Sequence, residues 1–241
     1  MAIGWGKGLD MRNCVTILSV MLFTHLGMDQ ERVMYIPGWH RCGRGEDEAL
    51  CAVRKVFPEA EVSVRNWDGN CVWRKAKDNA DAEAKRLAAE LMALTDDERS
   101  RLTLVGHSLG ARIVVRALAL LGEKGSKVKK VAVLAAAVPC DDPDVTRFTA
   151  ACESPALIVC NPKDTMLKYV YRPFGGEGAK ALGAVGPAMP LANCHVRVVA
   201  PGAIQSTPLD AFWAKSGWVR MAAAHYAPFY IREIGIHEEK P

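Results

Sequence analysis

A serine stands between two glycines in the sequence G-H-S-L-G. The apolar run Leu102–Val105 precedes it and predicts a buried strand, and Ala111–Leu121 follow it with the apolar spacing of a helix. A chain that passes from a buried strand into a helix within so few residues must turn sharply. Such a turn forces Ser108 into a strained conformation and lifts its hydroxyl clear of the sheet. Gly106 and Gly110 stand where side chains would collide in so tight a turn. The pattern indicates a nucleophilic serine.

Short apolar runs alternate with segments of helical spacing along most of the chain. The predicted strands are apolar without polar alternation, which is typical of strands covered on both faces in a parallel sheet. We therefore predict a three-layer α/β/α sandwich with a mostly parallel central sheet, in a single domain over residues 1–241. The predicted strands are Val33–Ile36, Ala60–Val64, Leu102–Val105, Val131–Ala137, Ala156–Cys160 and Val196–Ala200. The predicted helices are Ala80–Leu94, Ala111–Leu121 and Ala227–Ile234.

The composition is typical of a globular protein and argues against several other classes. Of the 241 residues, 50% are hydrophobic, and the net charge of +4 comes from basic residues that are spread out rather than clustered for nucleic acid. The eight cysteines include no C-x-x-C pair, so no metal site is predicted. Their place in apolar runs indicates reduced thiols in an intracellular protein. No glycine-rich stretch ends in G-K-[ST], so neither a phosphate-binding loop nor a cofactor is predicted.

The N-terminal segment, residues 1–31, allows two interpretations. Lys7 and Arg12 precede the apolar run Cys14–Phe23, an arrangement with the outline of a signal peptide. No small-x-small cleavage site follows, and the run is too short to span a membrane. We therefore expect a packed element of a cytoplasmic protein, with export or membrane contact through residues 12–28 as the alternative.

The G-H-S-L-G turn and the order of predicted strands and helices around it resemble the α/β-hydrolase superfamily, in particular its lipase- and esterase-like members. This resemblance extends from about Arg32 to the end of the chain. The stretch Lys163–Arg172, K-D-T-M-L-K-Y-V-Y-R, is also similar to the hydrolase-like region of transmembrane and coiled-coil domain-containing proteins. The superfamily resemblance implies a catalytic triad in which the nucleophile, Ser108, is followed in the chain by an acid and then by a histidine.

The acid of the implied triad has two candidate positions. Asp164 lies in the turn directly after the predicted strand Ala156–Cys160, where members of the superfamily commonly carry the acid. Asp141 and Asp142 are the alternatives, because some lipases place the acid one strand earlier, here after Val131–Ala137. Since the turn after the later strand is the shorter one, Asp164 is the preferred acid.

The histidine of the triad is chosen between the two that remain after the others are set aside. His195 stands immediately before the predicted strand Val196–Ala200, at the N-terminal edge of the sheet, whereas catalytic groups gather at the C-terminal edge. His225 follows that strand and precedes the last predicted helix, so it is the predicted base. The histidines set aside, which precede the serine, lie in its turn or belong to the charged tail, are His25, His40, His107 and His237.

The resemblance also implies two backbone N–H groups that stabilise an oxyanion. One belongs to the residue after the nucleophile, Leu109, and the candidate for the other is Trp39 in the loop Y-I-P-G-W-H after an earlier strand. The expected reaction is hydrolysis of a small-molecule carboxylic ester through an acyl-enzyme. A thioesterase or amidase with the same triad, and a hydrolase-fold protein that binds a ligand and catalyses little, are the alternatives.

The stretch Gly175–Pro190 is rich in glycine, alanine and proline. Such a composition predicts an irregular segment rather than a regular core element. Because it follows the predicted acid, we expect it to border or cover the site as part of a lid or insertion over about residues 165–195.

Overall fold

The strands of this protein form one sheet in which neighbouring strands are parallel. In this computed structural model the sheet has the order β2-β1-β3-β4-β5-β6. The strands are β1 (Arg32–Ile36), β2 (Glu61–Val64), β3 (Leu102–His107), β4 (Lys130–Leu134), β5 (Ala156–Cys160) and β6 (Cys194–Val198). The structure describes residues 30–39, 43–164, 167, 171 and 180–198.

Helices connect these strands and flank the sheet. They are α1 (Gly43–Val56), α2 (Trp73–Ala93), α3 (Asp96–Ser100), α4 (Leu109–Gly122), α5 (Pro143–Arg147), a short 3-10 helix (Phe148–Ala151) and α6 (Leu182–Val185). The alternation of parallel strands with helices confirms the predicted α/β/α sandwich.

The centre of the core lies around β3, β5 and α4. Every residue of β3 and of β5 is buried, as continuous apolar runs in a parallel sheet predict. Helix α4 is buried on nearly all sides because it packs against strand β3 and against helices α2 and α5. On α2 the buried positions include Ala76, Ala80 and Ala84, whose small side chains allow a close approach to α4.

The connections after β1 and after β3 leave the sheet in opposite directions. Strand β1 continues through α1 to β2 at one edge, whereas β3 continues through α4 to β4 and on towards β6 at the other. Where such connections diverge, a crevice opens at the carboxyl ends of the strands. The turns after β1 and β3 are therefore the place at which this sheet can bind a ligand.

Strand β4 is shorter than the prediction Val131–Ala137, which was wrong at its C-terminal end. The strand ends at Leu134 because the backbone of Ala135 turns away with a φ of 46°. Consecutive alanines give no sequence signal for a turn, so the sequence alone did not indicate that the strand ends at Leu134.

The segment Gly175–Pro190 was predicted to be irregular, and this was wrong for the residues Ala181–Ala184. They lie in or beside α6, are buried, and bond to the segment after β4, where the amide of Gly183 donates to the carbonyl of Ala136 at 3.0 Å. A Cβ atom on Gly183 would lie 2.2 Å from the backbone of Ala136, so only glycine allows this approach. A cover formed by the rest of residues 165–195 stays a prediction.

Several other boundaries differ from the prediction, most of them by one or two residues. The last strand described is β6 at Cys194–Val198, not Val196–Ala200, and helix α2 begins at Trp73, not at Ala80. The helix predicted at Ala227–Ile234 lies outside the described residues.

The membrane interpretation concerned residues 12–28, which also lie outside the described residues. Within the described parts of the chain, no helix combines the length and the apolar character needed to cross a bilayer.

Candidate active site

The backbone at Ser108 has the strained conformation that the sequence predicted. Its φ is 54° and its ψ is −118°, a region that residues other than glycine rarely adopt. Ser108 occupies the N-cap position of α4, where a serine hydroxyl ordinarily accepts a hydrogen bond from the first turn of the helix. Here the side chain makes no such bond, so the hydroxyl is not used in capping. Ser108 is also partly accessible, whereas the residues on either side of it are buried.

Hydrogen bonds from three elements hold the backbone of Ser108 in place. Its carbonyl accepts the amides of Ala111 and Arg112 in α4, at 3.1 and 3.2 Å, and the amide of Ala137 after β4, at 3.1 Å. Its own amide donates to the carbonyl of Leu134 at 3.0 Å. A strained conformation persists only where its surroundings fix it, and these four bonds do so.

Glycines allow the turns after β1 and β3 to touch. A Cβ atom on Gly110 would lie 2.0 Å from the carbonyl oxygen of Ile36, and a Cβ atom on Gly106 would lie 2.7 Å from the Cα of Ala111. Both glycines of the G-H-S-L-G sequence are therefore required by close packing, as predicted. A third glycine, Gly38, lies against the serine itself, because its Cβ would be 2.8 Å from the Cβ of Ser108.

Tryptophan side chains fix the loop that carries Gly38. The indole N–H of Trp67 donates to the carbonyl of Pro37 at 2.8 Å, and that of Trp39 donates to the carbonyl of Cys71 at 2.7 Å. The loop after β1 is thus bonded to the loop before α2 on both sides of Gly38. The two residues predicted to donate to an oxyanion, Trp39 and Leu109, belong to the two turns that meet at Ser108.

Asp164 lies just beyond the carboxyl end of β5, at the same edge of the sheet as Ser108. Its side chain is buried, with 3% exposure, and one carboxylate oxygen accepts the amide of Leu167 at 3.0 Å. Its own amide donates to the carbonyl of Asn161 at 3.0 Å. The side-chain oxygen of Asn161 in turn accepts the amide of Lys163 at 2.9 Å, so the turn that presents Asp164 is rigidly bonded.

The alternative acids have a different structural setting. Asp142 caps α5 by accepting the amide of Asp144 at 2.9 Å, and it pairs with Arg116 at 3.2 Å. Its carboxylate therefore serves the start of a helix. Asp141 is exposed. The carboxylate of Asp142 is thus engaged in a helix cap and an ion pair, although Asp142 also follows the carboxyl end of a strand.

The histidines differ sharply in their surroundings. His107 is buried beside Gly38, and burial lowers its pKa from 6.5 to about 4 because the charged imidazolium would be desolvated. His195 is exposed and lies within β6, paired with Leu157, not before the strand as predicted. It remains near the N-terminal end of that strand. The predicted base, His225, lies outside the described residues.

Three aromatic rings gather beyond the loop that contacts Ser108, and the sequence did not reveal their assembly. The rings of Trp39 and Trp73 meet edge to face with centroids 5.1 Å apart, and those of Trp73 and Tyr171 meet likewise at 6.2 Å. They come from the loop after β1, the start of α2 and the segment after Asp164. We call Trp39, Trp73 and Tyr171 the aromatic cluster.

Within the described residues, no group of three or more His, Cys, Asp or Glu side chains is arranged to hold a metal ion.

A family model described as "Protein of unknown function (DUF726)" matches residues 51–196, which is more than half of the chain. No curated protein matches the sequence significantly.

Solved structures of hydrolases resemble the chain at low identity. A variant of the type II thioesterase YbtT from the yersiniabactin biosynthetic pathway is 14% identical, with 85% of this chain and 94% of that chain covered and a TM-score of 0.41. An esterase of Pyrobaculum calidifontis is 15% identical, with 87% and 76% covered and a TM-score of 0.38. A lipase-esterase related protein of Clostridium acetobutylicum is 13% identical, with 83% and 93% covered and a TM-score of 0.41. Resemblances this distant do not identify the activity of this chain. Its own parallel sheet and the strand, turn and helix around Ser108 are those of the α/β-hydrolase fold.

Proposed function

Since the chain belongs to the DUF726 family of proteins of unknown function, we propose an activity from its own geometry: it is a serine hydrolase that cleaves carboxylic esters, with Ser108 as nucleophile. The activity is sited where the turns after β1 and β3 meet.

The strained, uncapped Ser108 is the observation that carries this proposal. A serine at a helix N-terminus stabilises the helix when its hydroxyl accepts a first-turn amide, and here that stabilisation is absent. Strain in the backbone adds a further cost, of about 1–3 kcal/mol for such conformations. A residue that costs stability in two ways, and whose hydroxyl stays partly accessible, is explained by a chemical role for that hydroxyl.

The chemistry needs a base, because a serine hydroxyl is a weak nucleophile at neutral pH. His225 would take the proton as the serine oxygen attacks the ester carbonyl, an assignment that rests on its place in the chain. Asp164 would accept a hydrogen bond from the imidazole and hold the tautomer that leaves the other ring nitrogen free to accept the proton. Its burial at the carboxyl edge of the sheet supports this part.

Attack places negative charge on the carbonyl oxygen, and fixed N–H groups lower the energy of that charge. The amide of Leu109 is the first of α4 and one of those without a partner within the helix. The amide of Trp39 would provide the second donor from the loop fixed by two indole bonds. The alcohol then leaves with a proton from His225, and water activated by the same histidine hydrolyses the acyl-enzyme.

A fluorophosphonate probe tests the proposal directly, because it reacts covalently with an activated serine. We expect the folded parent protein to be labelled at Ser108, and Ser108→Ala to be unlabelled and to lose ester turnover by roughly 10³- to 10⁶-fold. Ser100→Ala is the matched control, since Ser100 is a half-buried helical serine whose hydroxyl donates to the carbonyl of Asp97 in its own helix. It should be labelled like the parent.

A parent protein that resists the probe while folded, or an alanine variant at Ser108 that keeps more than a tenth of the turnover, would contradict the proposal. A series of p-nitrophenyl esters from C2 to C16, with one thioester and one anilide, would define the class of carbonyl and the acyl length.

A further inference from the structure

The side chain of His107 is buried at the end of β3, directly before the proposed nucleophile. It is 4% exposed, and desolvation lowers the pKa of its imidazole to about 4, so the ring is neutral at physiological pH. The proposed triad of Ser108, Asp164 and His225 makes no use of this ring. Burial of a polar ring costs more free energy than burial of an aliphatic side chain, so a contact made by the imidazole has to account for its presence here.

The imidazole of His107 meets the loop after β1 at Gly38. A Cβ atom on Gly38 would lie 3.3 Å from Nδ1 of His107, 3.3 Å from the carbonyl oxygen of His107 and 2.8 Å from the Cβ of Ser108. Gly38 is thus enclosed by two consecutive residues of the turn after β3. Because Nδ1 forms part of that enclosure, the ring limits how closely the loop approaches Ser108.

Other contacts hold the loop from the side of α2. The indole of Trp67 donates to the carbonyl of Pro37, and the indole of Trp39 donates to the carbonyl of Cys71. These two bonds tie the residues on either side of Gly38 to the segment before α2, whereas His107 contacts Gly38 itself from the turn after β3. The loop is therefore fixed from two sides, and His107 supplies a side chain on the side that carries the nucleophile.

We propose that His107 is a positioning residue, whose imidazole fixes Gly38 and thereby directs the next amide in the chain, that of Trp39, towards the oxyanion. This inference rests on the proposed function, in which the amide of Trp39 is the second oxyanion donor. In this role His107 acts through the backbone of Gly38 and does not touch the substrate. A side chain that leaves the position of Nδ1 empty lets the loop shift, and the amide of Trp39 shifts with it.

A small shift is enough to slow the reaction, because an oxyanion donor acts only at hydrogen-bond distance from the developing charge. A misplacement of about 1 Å costs on the order of 10²-fold in rate. The charge develops in the transition state and is absent from the bound ester, so the shift should lower kcat and leave KM nearly unchanged. A loss of folding stability alone would not separate kcat from KM in this way.

A pair of amide side chains tests this role. In His107→Asn the amide occupies the position of Nδ1, whereas in His107→Gln it reaches the position of the far nitrogen, Nε2, and leaves that of Nδ1 empty. We expect His107→Asn to keep kcat within about threefold of the parent and His107→Gln to lower it about 10- to 100-fold, with KM within about twofold in both. The assay is steady-state hydrolysis of the p-nitrophenyl ester that the parent cleaves fastest.

Leu102→Val is the matched control. Leu102 is the first residue of β3, is 3% exposed, and lies at the opposite end of the strand from His107. This variant should have a lower Tm and an unchanged kcat, measured at a temperature at which every variant is folded by circular dichroism. If His107→Gln does not fold, His107→Ala, which removes the ring without adding length, takes its place with the same expected loss of kcat.

The role of His107 can fail while the hydrolase stands. Equal kcat values in the parent and in His107→Gln, a KM that rises as much as kcat falls, an asparagine variant as slow as the glutamine variant, or the same loss of kcat in Leu102→Val would overturn it. A parent protein without Ser108-dependent turnover would instead refute the proposed function, and the positioning role with it.

Discussion

Replacing Ser108 with glycine should give a more stable protein than replacing it with alanine. Both variants lack the hydroxyl, so their difference reports the backbone. At a φ of 54° and a ψ of −118°, alanine keeps the steric strain that serine has, whereas glycine relieves it. The usual order, in which alanine is the more stabilising residue, should therefore be reversed at this position.

The expected size of the reversal follows from two opposing contributions. Strain of this kind costs about 1–3 kcal/mol, and the greater freedom of glycine in the unfolded chain costs roughly 0.5–1 kcal/mol. The difference leaves Ser108→Gly more stable than Ser108→Ala by about 1 kcal/mol. For a chain of this size, 1 kcal/mol corresponds to about 2–4 °C in Tm.

Calorimetry or urea unfolding of the two variants measures this difference, and Ser100 provides the control. Ser100 ends the helix α3, so Ser100→Gly should be less stable than Ser100→Ala by up to about 1 kcal/mol. The glycine variant should thus be more stable than the alanine variant at position 108 and less stable at position 100. If Ser108→Gly unfolds at or below the temperature of Ser108→Ala, the turn is not strained and the main support for a nucleophilic Ser108 is lost.

Two further predictions concern the acid and the buried histidine. Asp164→Asn should lower ester turnover by about 10²- to 10⁴-fold through the wrong imidazole tautomer, whereas Asp142→Asn should cost less than about tenfold, and the reverse order in steady-state assays would move the acid to the earlier strand. Burial lowers the pKa of His107 from 6.5 in the unfolded chain to about 4 in the folded protein, so the folded state favours the neutral imidazole. The stability that this neutral form contributes is fully present above pH 6.5 and is lost as the pH falls towards 4, where the free energy of unfolding should be lower by about 3 kcal/mol. Urea unfolding at pH 7 and pH 4 should show this loss reduced in His107→Gln and unchanged in His195→Gln, and equal losses in all three proteins would refute it.

The sequence predicted the sheet well where a strand is buried on both faces. The predicted bounds of β5 are the observed ones, and β3 ends two residues later than predicted, because strands covered on both faces are mostly apolar and give a clear run in the sequence. Helix α2 was predicted seven residues too short because its first two turns bury only Ala76 and Ala80. Alanines among charged residues give a weak periodic signal, although tertiary packing against α4 makes them a buried face.

In the candidate site, too, features formed by neighbouring residues could be predicted from the sequence, whereas features formed by tertiary contacts could not. The strain at Ser108 and the need for Gly106 are consequences of a local strand, turn and helix, so the pattern G-H-S-L-G predicted both. Gly110 is required by a tertiary contact instead, with the carbonyl of Ile36. The contact of Gly38 with the serine and the aromatic cluster bring together segments distant in sequence. No spacing rule relates Trp73 to Tyr171, and only the folded chain shows that their rings meet.

The carbonyl of Ser108 accepts three amides, from α4 and from the segment after β4, and this has a consequence for how the protein can diversify. Opening that turn would disrupt the central sheet and its most extensively buried helix together, so a substitution that moves the serine is expected to destabilise the whole fold. Variation, in nature or in a library, is therefore expected to be most constrained at the serine and at the residues that bond its backbone.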